Sequence, residues 1–166
     1  VADAAQNADL ALIKQLLHEG VDVNTPQGDG MTALHWAAER GDTELTKVLI
    51  YAGANFVAGT RIGQYKPLHL AARKGNADII KTLLDAGVDP NIKTANSGST
   101  ALHLASASGD IESVTALLLA GAHPNARENA WGQTPLVFAA AANHIGVMRA
   151  LLEAGADPTL SSNTVD

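Results

Sequence analysis

A four-residue motif that recurs every 34 residues constrains this chain more than any other feature of its sequence. The copies read Thr-Ala-Leu-His at 32–35, Lys-Pro-Leu-His at 66–69, Thr-Ala-Leu-His at 100–103 and Thr-Pro-Leu-Val at 134–137. A series of glycines runs in phase with the motif. Its members are Gly20, Gly53, Gly87, Gly121 and Gly155. Self-similarity at a period of about 20 to 50 residues is typical of repeat proteins. We therefore count five units, of which the first lacks its opening turn.

Each unit predicts two short antiparallel helices followed by an extended connector. A threonine hydroxyl suits the start of the first helix, and proline needs no backbone donor at the first helical position. The expected N-caps of the second helices are Asp9, Asp42, Asn76 and Asp110. Apolar residues in the second helices follow the spacing i, i+1, i+4, i+5, which makes one apolar stripe. Because isolated helices shorter than about 12 residues are marginal in water, neighbouring units must cover these stripes.

The composition agrees with a thin, layered core and excludes several classes of function. The chain is 46% hydrophobic but only 4% aromatic, so Ala, Leu, Ile and Val must fill the interior. No apolar run approaches the roughly 20 residues of a membrane-spanning helix. A net charge of -6 disfavours a protein that binds nucleic acid through its phosphates. We expect neither nucleic-acid binding nor membrane insertion, and the sequence indicates no cellular compartment.

The second unit shows most clearly which family the chain resembles. Thr-Ala-Leu-His-Trp-Ala-Ala-Glu-Arg-Gly-Asp at 32–42, with Val-Leu-Ile-Tyr-Ala-Gly-Ala-Asn at 48–55, resembles the ankyrin repeat, and the later units do so too. The resemblance implies an all-α ankyrin-repeat solenoid of stacked helix-turn-helix units with projecting β-hairpin loops. It also implies a concave surface of hairpin tips and first helices, protein partners, and no catalytic residues. We expect one domain over 1–166. Its repeats should lie at about 1–29, 30–62, 63–97, 98–131 and 132–166.

The connectors and the last unit depart from the family's pattern. Ankyrin repeats usually recur every 33 residues, but three connectors here hold one extra residue, which predicts longer or bulged tips. These connectors span 57–65, 92–99 and 126–133. The last unit has Val137 in place of the motif histidine and Asn143 in place of the helix-ending glycine. Its outer face is not obviously polar. Either 159–166 or further repeats of a longer parent cover this face, or a second copy or another subunit does.

The motif histidines are the strongest candidates for metal chemistry, and their spacing argues against it. His35, His69 and His103 occur once per unit. Packed helices lie roughly 8 to 10 Å apart, too far for three imidazoles to share one zinc ion at about 2 Å. We expect each ring to bridge backbone groups of adjacent hairpins instead.

The sequence offers no other catalytic chemistry. It contains no cysteine, no glycine-rich loop followed by Lys and Ser or Thr, and no serine with histidine and aspartate partners. We therefore predict that the chain is not an enzyme and holds no cofactor and no metal.

Charged residues on the first helices are candidates for partner binding. The two positions after each small-residue pair should face the concave side, and they are charged at Glu39, Arg40, Arg73 and Lys74. The segment 61–81 contains five basic residues and one acid, a basic band within an acidic chain. Such a band suits the attraction of an acidic partner. A solvated charged face is an equally good interpretation.

Large side chains near the hairpin tips complete the candidate set. Tyr65 and Trp131 lie at tips, and aromatic side chains there suit binding hot spots, although packing on the neighbouring hairpin is the alternative for both. Trp36 and Phe138 are expected in the core or at its edge.

We predict a non-catalytic scaffold that binds a protein partner through hairpin tips and the concave inner-helix surface. The predicted contact residues are Met31, Glu39, Arg40, Ile62, Tyr65, Arg73, Lys74 and Trp131. The alternative is a structural subunit that self-assembles through hairpin tips or the uncapped C-terminal repeat.

Overall fold

The computed structural model describes residues 1–160 and residue 162, and this part of the chain is built from five pairs of helices. The helices are α1 Ala2–Gln6, α2 Leu10–His18, α3 Ala33–Arg40, α4 Thr43–Tyr51, α5 Pro67–Lys74, α6 Ala77–Asp85, α7 Ala101–Ser108, α8 Ile111–Leu119, α9 Pro135–Ala141 and α10 Ile145–Glu153. The first helices α1, α3, α5, α7 and α9 pack side by side in one row, and α4, α6, α8 and α10 form a second row. The predicted all-α repeat solenoid is confirmed.

Local capping explains where the second helices begin. The side chains of Asp9, Asp42 and Asp110 each accept a hydrogen bond from a backbone N–H in the first turn of their own helix, as the sequence predicts. The prediction for Asn76 is wrong in one respect. Asn76 stands at the N-cap position of α6, but its side-chain amide donates to the carbonyl oxygen of Ala38 in the preceding unit, at 2.9 Å.

The turn between paired helices requires a left-handed backbone, which three units supply with glycine. Gly75, for example, ends α5 at φ 69°, where the absence of a β-carbon avoids a steric penalty. The corresponding residues in the first and last units are Ala8 at φ 57° and Asn143 at φ 58°. The asparagine that replaces glycine in the last unit therefore keeps the same turn, because asparagine tolerates this conformation better than most residues.

The connectors are narrow hairpins with very little strand structure. Within the described residues, strand pairing is limited to one isolated antiparallel bridge between Lys93 and Thr100. One backbone hydrogen bond closes each hairpin. These bonds run from N to O between Gln27 and Met31 (2.8 Å), Thr60 and Tyr65 (3.0 Å), Thr94 and Ser99 (3.0 Å), and Glu128 and Gln133 (3.1 Å). The last three hairpins hold one residue more than the first, as their sequences predict.

Backbone hydrogen bonds also join each hairpin tip to the next. Arg61 N donates to Asp29 O at 2.7 Å, Ala95 N to Gly63 O at 2.9 Å, and Asn129 N to Ser97 O at 2.6 Å. The tips therefore form a continuous edge along one side of the solenoid.

Small and aliphatic residues fill the core. The alanine pairs of the first helices, such as Ala37–Ala38 and Ala71–Ala72, are fully buried, which lets neighbouring helices approach closely. Trp36 is half-buried at the core edge, as predicted, and Phe138 is half-buried with its ring against the edge of His103. Within the described part of the chain, no helix has both the length and the apolarity to cross a membrane.

Candidate functional site

A groove on the inner side of the solenoid lies between the second and third repeats. We call it the inner groove, and its volume is about 320 Å³. It is lined by Asp29, Met31, Trp36, Glu39, Thr60, Ile62, Tyr65, Leu70 and Arg73. Five of the eight predicted contact residues, namely Met31, Glu39, Ile62, Tyr65 and Arg73, thus come together around one space.

Most of the inner groove is built from three positions that recur in consecutive repeats. Met31 and Tyr65 precede the first helices, Trp36 and Leu70 lie within them, and Glu39 and Arg73 lie in their last turns. The same positions in the next repeat hold the smaller or uncharged Ser99, Leu104 and Ala107. The second and third repeats therefore form a groove with large side chains and charge that the later repeats do not reproduce.

Hydrogen bonds hold the aromatic residues of the inner groove in place. The Trp36 indole Nε1 donates to Gln27 Oε1 at 2.7 Å, and His35 Nε2 lies 3.0 Å from the carbonyl oxygen of Tyr65. The Tyr65 hydroxyl makes no hydrogen bond with any described residue. Ile62, at the hairpin tip, is 80% exposed.

One wall of the inner groove carries a three-member ion cluster. Arg73 Nη2 lies 3.0 Å from Glu39 Oε2, and Lys74 Nζ lies 3.0 Å from Glu39 Oε1. The Arg73 guanidinium also stacks over the Tyr65 ring at 5.7 Å from its centre, a cation–π geometry. Two cations share one carboxylate, so the cluster keeps one net positive charge.

The basic band is more neutralised than its sequence suggests. Arg73 and Lys74 pair with Glu39, and Lys81 pairs with Glu112 on the next repeat. Three of its five cations therefore have an acidic partner, and at the groove wall two of them share the single carboxylate of Glu39.

Three predicted contact residues lie outside the inner groove. Arg40 Nη1 donates to the carbonyl oxygen of Gln6 at 3.1 Å and so faces the first repeat. Lys74 adjoins the groove through Glu39 but does not line it. Trp131 is 53% exposed on the last hairpin, two hairpins away.

A buried carboxylate, which the sequence analysis does not single out, shapes the hairpin that carries Trp131. Glu128 accepts hydrogen bonds from the backbone N–H groups of Ala130, Trp131 and Gln133 at 2.7 to 2.9 Å. Burial opposes its charge, but these donors outweigh burial and lower its pKa.

The two preceding hairpins use a threonine hydroxyl for the same purpose. Thr60 Oγ1 accepts from Tyr65 N, and Thr94 Oγ1 accepts from Ser99 N, both at 3.1 Å. In the sequence, the signal for this hydrogen bond is a side chain with an acceptor oxygen every 34 residues, at Thr60, Thr94 and Glu128.

The motif histidines brace the hairpins, which confirms the predicted bridging role. The Nε2 atoms of His35, His69 and His103 lie 3.0 to 3.1 Å from carbonyl oxygens of the following connector. Their Nδ1 atoms accept backbone N–H bonds at 3.0 to 3.1 Å from the residue before each first helix. The proton therefore sits on Nε2. Burial lowers the pKa of all three rings, that of His69 to about 4, so they are neutral at pH 7.

The described residues contain no group of three or more histidine, aspartate or glutamate side chains placed to hold a metal ion. Both ring nitrogens of each motif histidine instead form hydrogen bonds with backbone groups. The inner groove itself is lined by apolar side chains and by the ion pair of Glu39 and Arg73.

Comparison with known families agrees with this architecture. A family model described as ankyrin repeats, in three copies, matches residues 1–94 and again residues 92–162. A comparison with curated protein sequences finds no match. Ankyrin repeats are generally protein–protein interaction modules, and the family is typically non-enzymatic. Because the two matches together span nearly all of the sequence, the chain belongs to the ankyrin-repeat family.

Proposed function

We propose that this chain is a non-catalytic scaffold that holds a segment of a partner protein in the inner groove. The observation that carries the proposal is the convergence of large apolar side chains and an ion cluster from two repeats onto one space. Aromatic side chains and arginine are the residues that most often dominate the energy of protein interfaces. The groove contains two such aromatic residues, Trp36 and Tyr65, and one such arginine, Arg73.

The chemistry of the inner groove supports binding more than catalysis. None of the nine lining residues is serine, cysteine or histidine. The two lining hydroxyls belong to Thr60, which donates to the carbonyl oxygen of Ile62 at 2.8 Å, and to Tyr65. A nucleophile needs an adjacent base to be activated, and here none is within hydrogen-bond distance.

We include the three remaining predicted contact residues in the proposal as contacts outside the inner groove. Lys74 lies beside the groove wall, Arg40 lies one position along the concave face, and Trp131 projects from the last hairpin. A partner longer than the groove would reach Lys74 first and Trp131 last.

Site-specific photo-cross-linking tests the proposal. We would place a photoreactive phenylalanine derivative at Ile62, 80% exposed in the groove, and in a matched variant at Tyr51, 96% exposed on a second helix. In extract from the cells that produce the protein, we expect a discrete cross-linked protein from position 62 and not from position 51. No adduct at 62, or the same adducts at both positions, would contradict the proposal.

Self-assembly is the second candidate function, and the last repeat gives a reason to test it. Ile145 and Leu152 on α10 are 65% and 44% exposed, so this repeat presents apolar side chains to solvent. If this face joins copies, light scattering should show a mass that rises with concentration and falls on Ile145→Lys substitution. A constant monomer mass would rule out this function.

A further inference from the structure

We infer that the inner groove recognises an acidic segment of its partner that carries one bulky apolar side chain. The apolar side chain enters the groove, and a neighbouring carboxylate binds Arg73. This inference rests on the proposed function and specifies the chemistry of the partner.

The size and lining of the groove determine the apolar part of the segment. Met31, Trp36 and Tyr65 are half-buried, Leu70 is buried, and Ile62 overhangs them from the hairpin tip. Pockets for small molecules usually measure about 300 to 1,000 Å³, so a groove of about 320 Å³ is at the lower limit of that range. It has room for one or two side chains and is small for a cofactor.

The orientation of Arg73 determines the position of the carboxylate. Glu39 binds one guanidinium nitrogen, Nη2, and the guanidinium carbon lies over the Tyr65 ring, 5.7 Å from its centre. The other N–H groups of Arg73 make no hydrogen bond with a described residue. A guanidinium fixed in this way is prepared for two parallel hydrogen bonds to a carboxylate. Because Lys74 offsets the charge of Glu39, the charge of Arg73 remains available.

The charge around the groove favours an acidic segment over a basic one. The segment 61–74 forms one side of the groove through Ile62, Tyr65, Leu70 and Arg73, and it contains four cations and no carboxylate. The carboxylates among the lining residues are Asp29 and Glu39, and Glu39 is already paired with Arg73 and Lys74. Asp29 Oδ1 already accepts the backbone N–H of Met31 at 2.9 Å. The whole chain carries a net charge of -6, so an acidic segment is attracted at this place and repelled elsewhere.

Short fluorescein-labelled peptides measured by fluorescence anisotropy against the purified chain test the inference. The first peptide has phenylalanine flanked by glutamate and aspartate. The second replaces phenylalanine by alanine, and the third replaces the acidic residues by lysine. We expect the first to bind and the second to bind at least about tenfold more weakly, because it fills none of the apolar space. We expect the third not to bind.

Two pairs of variants locate the binding site. Arg73→Gln and Lys74→Gln remove the same charge from residues of equal side-chain exposure (48%) that pair with the same carboxylate. Only Arg73 lines the groove, so its replacement should weaken binding of the first peptide about tenfold or more, and the Lys74 variant about threefold. Ile62→Ser should weaken binding, and Tyr51→Ser should not. Thermal unfolding of each variant verifies its fold.

Several results would overturn the inference. These are no binding of the first peptide, tighter binding of the lysine peptide, or equal losses for Arg73→Gln and Lys74→Gln. If position 62 still cross-links to a partner in those cases, the proposed function stands and only the partner chemistry is wrong. If position 62 also gives no adduct, both proposals fail.

Discussion

The junction between the second and third repeats is held together differently from the two junctions that follow it. In the later junctions an asparagine side chain connects the end of one repeat to the end of the next, which we call the asparagine bridge. Asn91 Nδ2 donates to Gly121 O at 3.0 Å and its Oδ1 accepts from His123 N at 2.8 Å. Asn125 makes the same pair of bonds to Gly155 and Asp157, at 3.1 and 2.8 Å.

The corresponding position between the second and third repeats holds Val57, which has no side chain able to form the bridge. Side-chain contacts there lie further inward. Asn76 donates to Ala38 O, a contact that His144 Nε2 and Ala107 O repeat at the last junction, and Glu39 pairs with Arg73 and Lys74 across the junction. The later repeats have alanine at the positions of Glu39 and Arg73.

Together with the proposed function, this difference assigns stability and recognition to different residues of one solenoid. In the later junctions neutral bridges join the connectors, an ion pair between Lys81 and Glu112 joins two second helices, and the inner face is small and uncharged. In the second and third repeats the inner face carries the large and charged side chains of the groove, and the connector has Val57 in place of the bridging asparagine. Since each repeat contacts only its neighbours, such a local exchange leaves the remaining junctions intact.

Acid should have the largest effect on stability, because it protonates the motif histidines, whose hydrogen bonds to the following connector are common to both kinds of junction. The pKa of His69 is lowered by burial from 6.5 to about 4, and those of His35 and His103 are lowered too. Between about pH 6.5 and about pH 4 the unfolded chain therefore binds more protons than the folded chain. The contribution of these histidines to the free energy of unfolding is complete above about pH 6.5 and falls as the pH falls towards about 4. His69 alone should account for about 3 kcal/mol.

Urea unfolding between about pH 7 and about pH 4 measures this loss. The control is His69→Gln, which lacks one titrating ring and should lose less stability over the same interval, although it starts less stable. If the variant and the natural chain lose equal amounts, His69 is not the source of the pH dependence.

Removing an asparagine bridge should have the next largest effect. Asn91→Val gives the junction between the third and fourth repeats the residue found at Val57 and breaks two hydrogen bonds to backbone groups. We expect a loss of about 1 to 2 kcal/mol in the free energy of unfolding, measured with urea. Asn96→Val is the matched control, because Asn96 is exposed and its side chain bonds to no described residue. A loss no greater than that of the control would show that the bridge contributes nothing.

Installing the missing bridge should produce a smaller gain. In Val57→Asn, the new amide would reach the carbonyl of Gly87 and the N–H of Asp89, the equivalents of the groups that Asn91 binds. Val57 is 48% exposed, so little apolar burial is lost, and we expect the free energy of unfolding to rise by about 1 kcal/mol.

The control for this gain is Val57→Asp, which can accept from Asp89 but cannot donate to Gly87. It should therefore gain less than the asparagine variant. Equal gains from both variants would mean that the amide donor is not what stabilises the later junctions.

Much of the fold was predictable because its determinants are local and repeat. The period of 34 residues, the aspartate caps and the helix-ending glycines each depend on a few neighbouring residues, and the structure confirms them. The bracing by histidine followed from the same register. Asn76 differs because its choice between its own helix and Ala38 depends on how closely the preceding repeat approaches, which no local pattern encodes.

The groove itself was only partly predictable. Met31, Ile62 and Tyr65 were found from their position at hairpin tips, and Glu39 and Arg73 from their position on the first helices. The sequence places Trp36 in the core or at its edge, and nothing in its spacing shows that the same ring also forms part of a groove. The partners of Glu39 depend on which way long side chains turn between repeats, so the neutralisation of the basic band required coordinates.

The smallest expected effect concerns the ion cluster beside the groove, and it decides how far the comparison of junctions extends. Arg73 and Lys74 are 48% exposed, and ion pairs with such exposure contribute little because water screens them. Glu39→Gln should therefore lower the free energy of unfolding by only about 0.5 kcal/mol at low salt, and the difference should shrink as salt is added. The control is Glu44→Gln, which removes the more exposed pair with Lys14 and should change less. A loss above about 2 kcal/mol for Glu39→Gln would mean that the cluster takes the place of the asparagine bridge as the main support of this junction, and stability and recognition would then share the same residues.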